Sequence, residues 1–198
     1  MPRTMRMIRR VAIVPALISL VSAANAASQG PYGIGRTATA AEIAGWNIDI
    51  GRDGHGLPTG SGSVAHGREI FGQQCAACHG DAGQGGVGDR LVGGRGTLAT
   101  PHPIKTVGSF WPYAPTLFDY IRRAMPQNAP QSLSNDDVYA VSAFILYLNG
   151  LLPAGSILDA KTMASIKMPN RNMFVGDSRP DVKNPACESD CEGTRDQK

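Results

Sequence analysis

Cys75-Ala76-Ala77-Cys78-His79 is the stretch of this 198-residue chain from which everything else is read. Cysteines three positions apart lie about one helical turn from each other, so both thiols can add across the two vinyl groups of one porphyrin. The next residue, His79, then lies against the ring face with its imidazole within reach of a central iron. The pattern predicts one covalent haem c, held by Cys75 and Cys78, with His79 as an iron ligand. A redox Cys-x-x-Cys pair calls for a thioredoxin-like βαβ pattern around it, and none is present. Zinc would need two further ligands, and the other cysteines, Cys187 and Cys191, lie far off in a polar tail.

Around this stretch the periodicity is helical. Ser63 can cap a helix running to Cys75, with Val64, Gly67, Ile70, Phe71 and Gln74 on one face. A glycine-rich loop, Gly80 to Gly96, follows. A second helix is predicted from about Pro115 to Ala124, with Leu117, Tyr120 and Ile121 at core spacing, and Pro126 ends it by disfavouring helical geometry at Met125. A third starts at Ser134, with Asp136 and Asp137 in its first turn, carries Val138, Val141, Ile145 and Leu148 on its inner stripe, and stops at Gly150. The expected architecture is therefore all-α over residues 63–150, with irregular extensions at both ends. The C-terminal extension, 151–198, holds one short helix around Asp159 to Ile166 and a polar tail. The N-terminal arm, 27–62, carries a capping-box spacing at Thr39-Ala40-Ala41-Glu42, which predicts a turn of helix from Ala40 to Ala44. Trp46, Ile48 and Ile50 alternate with polar residues as a short extended piece would, and Gly51 to Gly62 reads as loop.

The first residues have the pattern of an export signal. Arg3, Arg6, Arg9 and Arg10 precede an apolar run from Val11 to Ala23, and Ala24-Asn25-Ala26 supplies a small-x-small cleavage pattern. The run contains Pro15 and falls short of the roughly 20 apolar residues of a spanning helix, so residues 1–26 are expected to be a cleaved signal peptide rather than an anchor. The expected location is the periplasm, with no membrane span left after cleavage. Without those 26 residues, which hold four Arg and no acid, the chain has 15 basic against 16 acidic side chains. The basic balance belongs to the signal and makes no case for nucleic-acid binding. In the oxidising periplasm Cys187 and Cys191 are expected to form a local disulfide, with free thiols or a link to a partner as the alternatives.

The second iron ligand follows by elimination. Four methionines remain after cleavage: Met125, Met163, Met168 and Met173. Met125 sits at a helix end just before the third helix, where its sulfur can turn back to the iron, and the other three lie beyond that helix. Met168 is the alternative methionine. His55, His66 and His102 are the residues left for bis-histidine ligation, His66 reading as a helix-surface residue.

Gly67-x3-Phe71-x3-Cys75-x-x-Cys78-His79, the Met125-Pro126 loop and a closing helix with an aromatic together resemble the class I cytochrome c fold. The resemblance implies that Gly67 and Phe71 pack against Phe144 where the first and last helices cross. It also implies a proline in the loop after the haem site whose carbonyl orients the proximal imidazole. Here the matching stretch reads Gly88-Asp89-Arg90-Leu91-Val92-Gly93, so some other carbonyl must serve. Arg90 either reaches a haem propionate or is solvated. Trp111, Tyr113 and Lys105 are candidates for holding propionates, the alternative for the two aromatics being plain core packing.

A narrower resemblance covers most of the mature chain. Trp46-Asn47-Ile48-Asp49-Ile50, the run from Lys105 to Tyr113, the run from Phe118 to Pro126, Ala140 to Gly150 and Lys167 to Arg171 are similar to the cytochrome subunit of molybdenum-dependent sulfite or sulfane dehydrogenases of bacterial sulfur oxidation. This implies a periplasmic molybdenum-containing partner that passes single electrons to this haem, and a downstream cytochrome or oxidase that takes them. With His79 and Met125 both on iron no position is open, so the expectation is an electron-transfer protein with no catalytic step of its own. A free-standing shuttle, and a haem enzyme or sensor with an open sixth position, are the rivals. The long arm and tail favour a bound subunit over a shuttle.

Overall fold

Tyr32 and residues 34–176 are described by the structure, a computed structural model. The expected signal peptide, its cleavage site and the Cys187–Cys191 pair lie outside the described residues. The chain divides into two units, Met1–Ile48 and Asp49–Lys198.

In the first unit the capping box is made. Thr39 Oγ1 accepts from the Glu42 N–H, and Glu42 Oε2 accepts from the Thr39 N–H at 2.8 Å, which starts helix α1 (Ala40–Trp46). The hydrogen bond from the Arg36 guanidinium, then those from Thr39, hold the Glu42 carboxyl down at about 2. Trp46 closes this helix instead of opening an extended piece, because the capped helix runs two residues beyond Ala44, and 47–50 form no strand. None of the helix residues is buried.

The second unit is built on three helices. Strand β1 (Ser61–Ser63) leads into α2 (Val64–Gln74), where the Ser63 hydroxyl accepts from the His66 N–H at 3.1 Å. After Cys75 comes a single turn, α3 (Ala76–His79). Helix α4 (Ala114–Ala124) has proline in its first turn and arginines in its last, both favourable to a helix end. Helix α5 (Asn135–Leu148) begins with a reciprocal Ser134–Asp137 capping box. It ends in a left-handed Gly150, φ +67°, with Gly150 N–H bonded to Tyr147 O and Leu151 N–H to Leu146 O.

Helices α2 and α5 cross at Gly67. An added Cβ there would run into the Ala140 carbonyl, so glycine sets how closely the helices approach. Phe71 meets Phe144 edge-on, ring centroids 5.3 Å apart, as the family resemblance implies. On the other side of α5, Tyr139 packs against Phe118 of α4, centroids 4.4 Å apart, and its hydroxyl donates to Pro58 O at 2.8 Å. Helix α5 is buried from Val138 to Leu146 and forms the axis of the core.

Residues beyond Leu151 do more than trail away. Strand β2 (Ile157–Asp159) pairs antiparallel with β1, Ser61 opposite Asp159 and Ser63 opposite Ile157. Helix α6 (Ala160–Ser165) then starts on Asp159. Leu158, Met163, Met168 and Asn170 are all buried, and Asn170 Nδ2 donates to Phe110 O at 2.6 Å. The C-terminal segment as far as Asn170 is thus part of the core. Its alternating Ile157-Leu158-Asp159 is too short to announce a strand, which forms only because β1 is there to pair with it.

Candidate haem-binding site

The attachment stretch begins where α2 stops. Cys75 caps α2, and its carbonyl accepts from both the Cys78 N–H at 3.1 Å and the His79 N–H at 3.0 Å, which winds α3 as one tight turn. This turn sets two free thiols and the imidazole on consecutive steps of one coil. Cys75 is half-buried and Cys78 exposed. Burial first, and neighbouring Cys78 second, push the Cys75 thiol up to about 11. A redox cysteine needs the opposite shift, which argues against Cys75 as a thioredoxin-like nucleophile. Among the described residues no group of three or more His, Cys, Asp or Glu side chains could hold a metal ion, so a zinc site has no second half there.

The His79 ring is oriented by the main chain. Its Nδ1 lies 2.7 Å from the main-chain O of Asp89. A carbonyl can only accept, so the proton is on Nδ1 and Nε2 is left with a bare lone pair, the tautomer a metal requires. The carbonyl is brought there by Gly88. Its N–H donates to Cys78 O at 2.9 Å, and a Cβ on it would come within 2.9 Å of His79 Cε1. The stretch that lacks the family's proline therefore supplies the carbonyl from Asp89, one residue after a glycine that lets the loop lie against the ring. A main-chain carbonyl has no sequence signature, and Gly88 is one glycine in a loop of many. Arg90 is exposed, and its Nε donates to Gln84 O at 3.1 Å, which braces the same loop.

Met125 follows α4 directly, in extended geometry (φ −118°, ψ 143°), as the residue before a proline should be. It is partly buried against the core, in the connection between α4 and α5. Met163 and Met168 are buried in the core, and Met173 is 72 % exposed. His55 and His102 are exposed, and His66 on α2 is engaged with Asp137 at 3.1 Å and Glu69 at 3.7 Å. Trp111 is partly buried, edge-on to Tyr120 with centroids 5.8 Å apart. Tyr113 is half-buried beneath the Arg171 guanidinium, 5.3 Å from its ring centre, and Lys105 Nζ sits 5.0 Å from the Phe110 ring centre. Both aromatics have protein partners of their own.

Residues 62–145 match the family model described as cytochrome C oxidase, cbb3-type, subunit III. A solved structure, the sulfane dehydrogenase SoxCD from Paracoccus pantotrophus, superposes with a TM-score of 0.71 at 42 % identity, over 79 % of this chain and 77 % of that one. A thiosulfate dehydrogenase of Stutzerimonas stutzeri (strain A1501) is 32 % identical over 96 residues, 44 % of this chain. The match spans only 28 % of that relative's length.

The chain belongs to the c-type cytochromes, with a class I fold and covalent haem c as its iron cofactor. Within them it resembles the cytochrome subunit of the sulfur-oxidation dehydrogenases.

Proposed function

We propose that this chain is the periplasmic, single-haem electron-transfer subunit of a molybdenum-containing dehydrogenase that oxidises a sulfur compound. It takes electrons one at a time from that partner and passes them to a downstream cytochrome or oxidase. Residues 1–26 export it and are removed. The observation that carries the haem assignment is the His79 Nδ1–Asp89 O bond, which presents Nε2 beside two thiols on the same turn.

Cys75 and Cys78 would hold the haem by thioether bonds, His79 Nε2 and Met125 Sδ would bind its iron, and Trp111 and Tyr113 are the candidates to hold its propionates. When bound, haem c supplies a one-electron ferric/ferrous couple, with a methionine ligand favouring the ferrous form. The Asp89 carbonyl holds the imidazole in one orientation and tautomer. The packed helices α2, α4 and α5 exclude water from the interior. With His79 and Met125 both holding the iron, no position would be open to a substrate, oxygen or peroxide, and the chain itself would perform no bond-making step. The partner assignment rests on the similarity to SoxCD over most of both chains.

The second reading, a catalytic haem with an open sixth position, is favoured by the name of the curated relative, a thiosulfate dehydrogenase. One purification separates the two. Isolated from the periplasm under mild conditions, the protein should bring a molybdenum subunit with it and, when oxidised, show the weak near-infrared band of iron–methionine sulfur bonding. A molybdenum-free protein that is high-spin or binds carbon monoxide readily overturns the proposal in favour of the catalytic reading.

A further inference from the structure

The loop that orients His79 is held at its far end by a side chain from a different element. Asn149, the residue that ends α5, uses its whole carboxamide on loop 88–94 and on its own helix. Its Oδ1 accepts from the Gly93 N–H at 3.2 Å, while Nδ2 donates to Leu91 O at 3.1 Å and to Ile145 O at 2.9 Å. Gly93 is gripped from its other side as well, its carbonyl accepting from Thr106 Oγ1 at 2.6 Å. Gly108 makes room for the carboxamide, since a Cβ there would overlap it. At the near end, Gly88 N–H is bonded to Cys78 O and Leu91 N–H to Gly83 O, both at 2.9 Å. Asp89 is suspended between these anchors.

We infer that Asn149 is a positioning residue for the proximal iron ligand: it couples the end of α5 to the Asp89–His79 hydrogen bond and so sets the reduction potential. This rests on the reading of His79 as iron ligand. A carbonyl accepting from Nδ1–H makes Nε2 a stronger donor and favours ferric iron. Releasing Leu91 O and Gly93 N–H frees the segment just beyond Asp89, weakens that bond and raises the potential. The Asn149 main-chain carbonyl, which accepts from Arg95 at 3.3 Å, is present in every side-chain variant.

The test compares wild-type holoprotein with Asn149→Ala, Asn149→Asp and a control, Asn170→Ala, which removes the bond to Phe110 and touches none of loop 88–94. Asn149→Asp has the native shape and keeps the acceptor for Gly93, so it remains readable where the alanine variant does not fold. Potential is measured by redox titration, and exchange of the His79 ring N–H by proton NMR of the reduced form. Expected are an upward potential shift in Asn149→Ala and faster exchange in both variants, about tenfold in Asn149→Ala, the size a lost hydrogen bond allows; the carboxylate of Asn149→Asp itself favours ferric iron, so that variant is read by exchange. The control should lose stability with neither quantity changed. Potential and exchange unmoved in folded Asn149 variants that still carry haem would overturn the inference and leave Asn149 a structural residue. Wild-type protein without covalent haem would instead sink the reading of His79 itself.

Discussion

Gly67 lies directly beneath the main-chain carbonyl of Ala140, with room for a hydrogen atom and nothing larger. Replacing it with alanine must push α2 away from α5 and disturb the Phe71–Phe144 contact beside it. Gly67→Ala should cost about 3 kcal/mol or more, the upper range for overpacking in a core that cannot yield. Denaturant unfolding would show this as a lowered midpoint at an unchanged slope.

Covalent attachment should fail in steps. Cys78→Ser leaves one vinyl group unsaturated and conjugated with the ring, so the reduced absorption moves to longer wavelength while the haem stays on the chain. In the Cys75→Ser, Cys78→Ser double variant no haem should remain with the polypeptide on a denaturing gel. Haem staying covalently bound in that double variant would refute the attachment site.

The two candidate methionines should behave differently. Met125→His replaces a sulfur ligand with a second imidazole, so the near-infrared band disappears and the reduction potential falls. Met168 is buried at 3 % exposure, and Met168→Leu keeps its volume. That change should leave spectrum and potential alone and cost under about 1.5 kcal/mol. Loss of the band in Met168→Leu would exchange their roles.

Acid should loosen the start of α5. Burial pushes the Asp137 carboxyl upward, but hydrogen bonds from Ser134 and His66 outweigh it, and the net shift is below the ordinary 3.8. Its contribution is therefore complete above pH 3.8 and is lost as the pH falls through the lower folded-state value. Asp137→Asn should cost about 1 kcal/mol at pH 6, typical of a helix cap, and should flatten the acid limb of the stability profile. Urea midpoints of both proteins from pH 6 to pH 2.5 would check it, and parallel curves would refute it.

Leu158→Ala tests the standing of the C-terminal segment. Leu158 is 1 % exposed, on a strand that sequence periodicity does not announce. Were residues beyond Leu151 an appendage, the change would be nearly neutral. As part of the core it should cost about 2–5 kcal/mol.

The three long helices are legible in the sequence because caps and stripes are local: Ser63, Ser134 and the Met125-Pro126 stop each act within one turn. The thiols and imidazole are legible for the same reason, being confined to five consecutive residues. What escapes is non-local or carried by the main chain. Nothing in Asp89 as a residue type marks its carbonyl as the partner of His79, and nothing in Asn149 shows that its carboxamide faces Leu91 and Gly93. The β1–β2 pairing joins segments nearly a hundred residues apart, each only three residues long. Trp46 was expected in an extended piece because alternation is as good a signal over five residues as a cap, and the cap prevailed.

The two-stranded ladder also decides how the molecule bears load. Ser61 faces Asp159, so the chain that enters before β1 and the chain that leaves after β2 depart from the same end of the ladder. Tension that reaches the ladder therefore peels the strands apart pair by pair from Ser61 and Asp159, instead of shearing all the bonds at once. A pull from the tail must first free Asn170, Met168 and Met163 from the core, so the clasp and the segment behind it take up load that would otherwise fall on the turn carrying Cys75, Cys78 and His79.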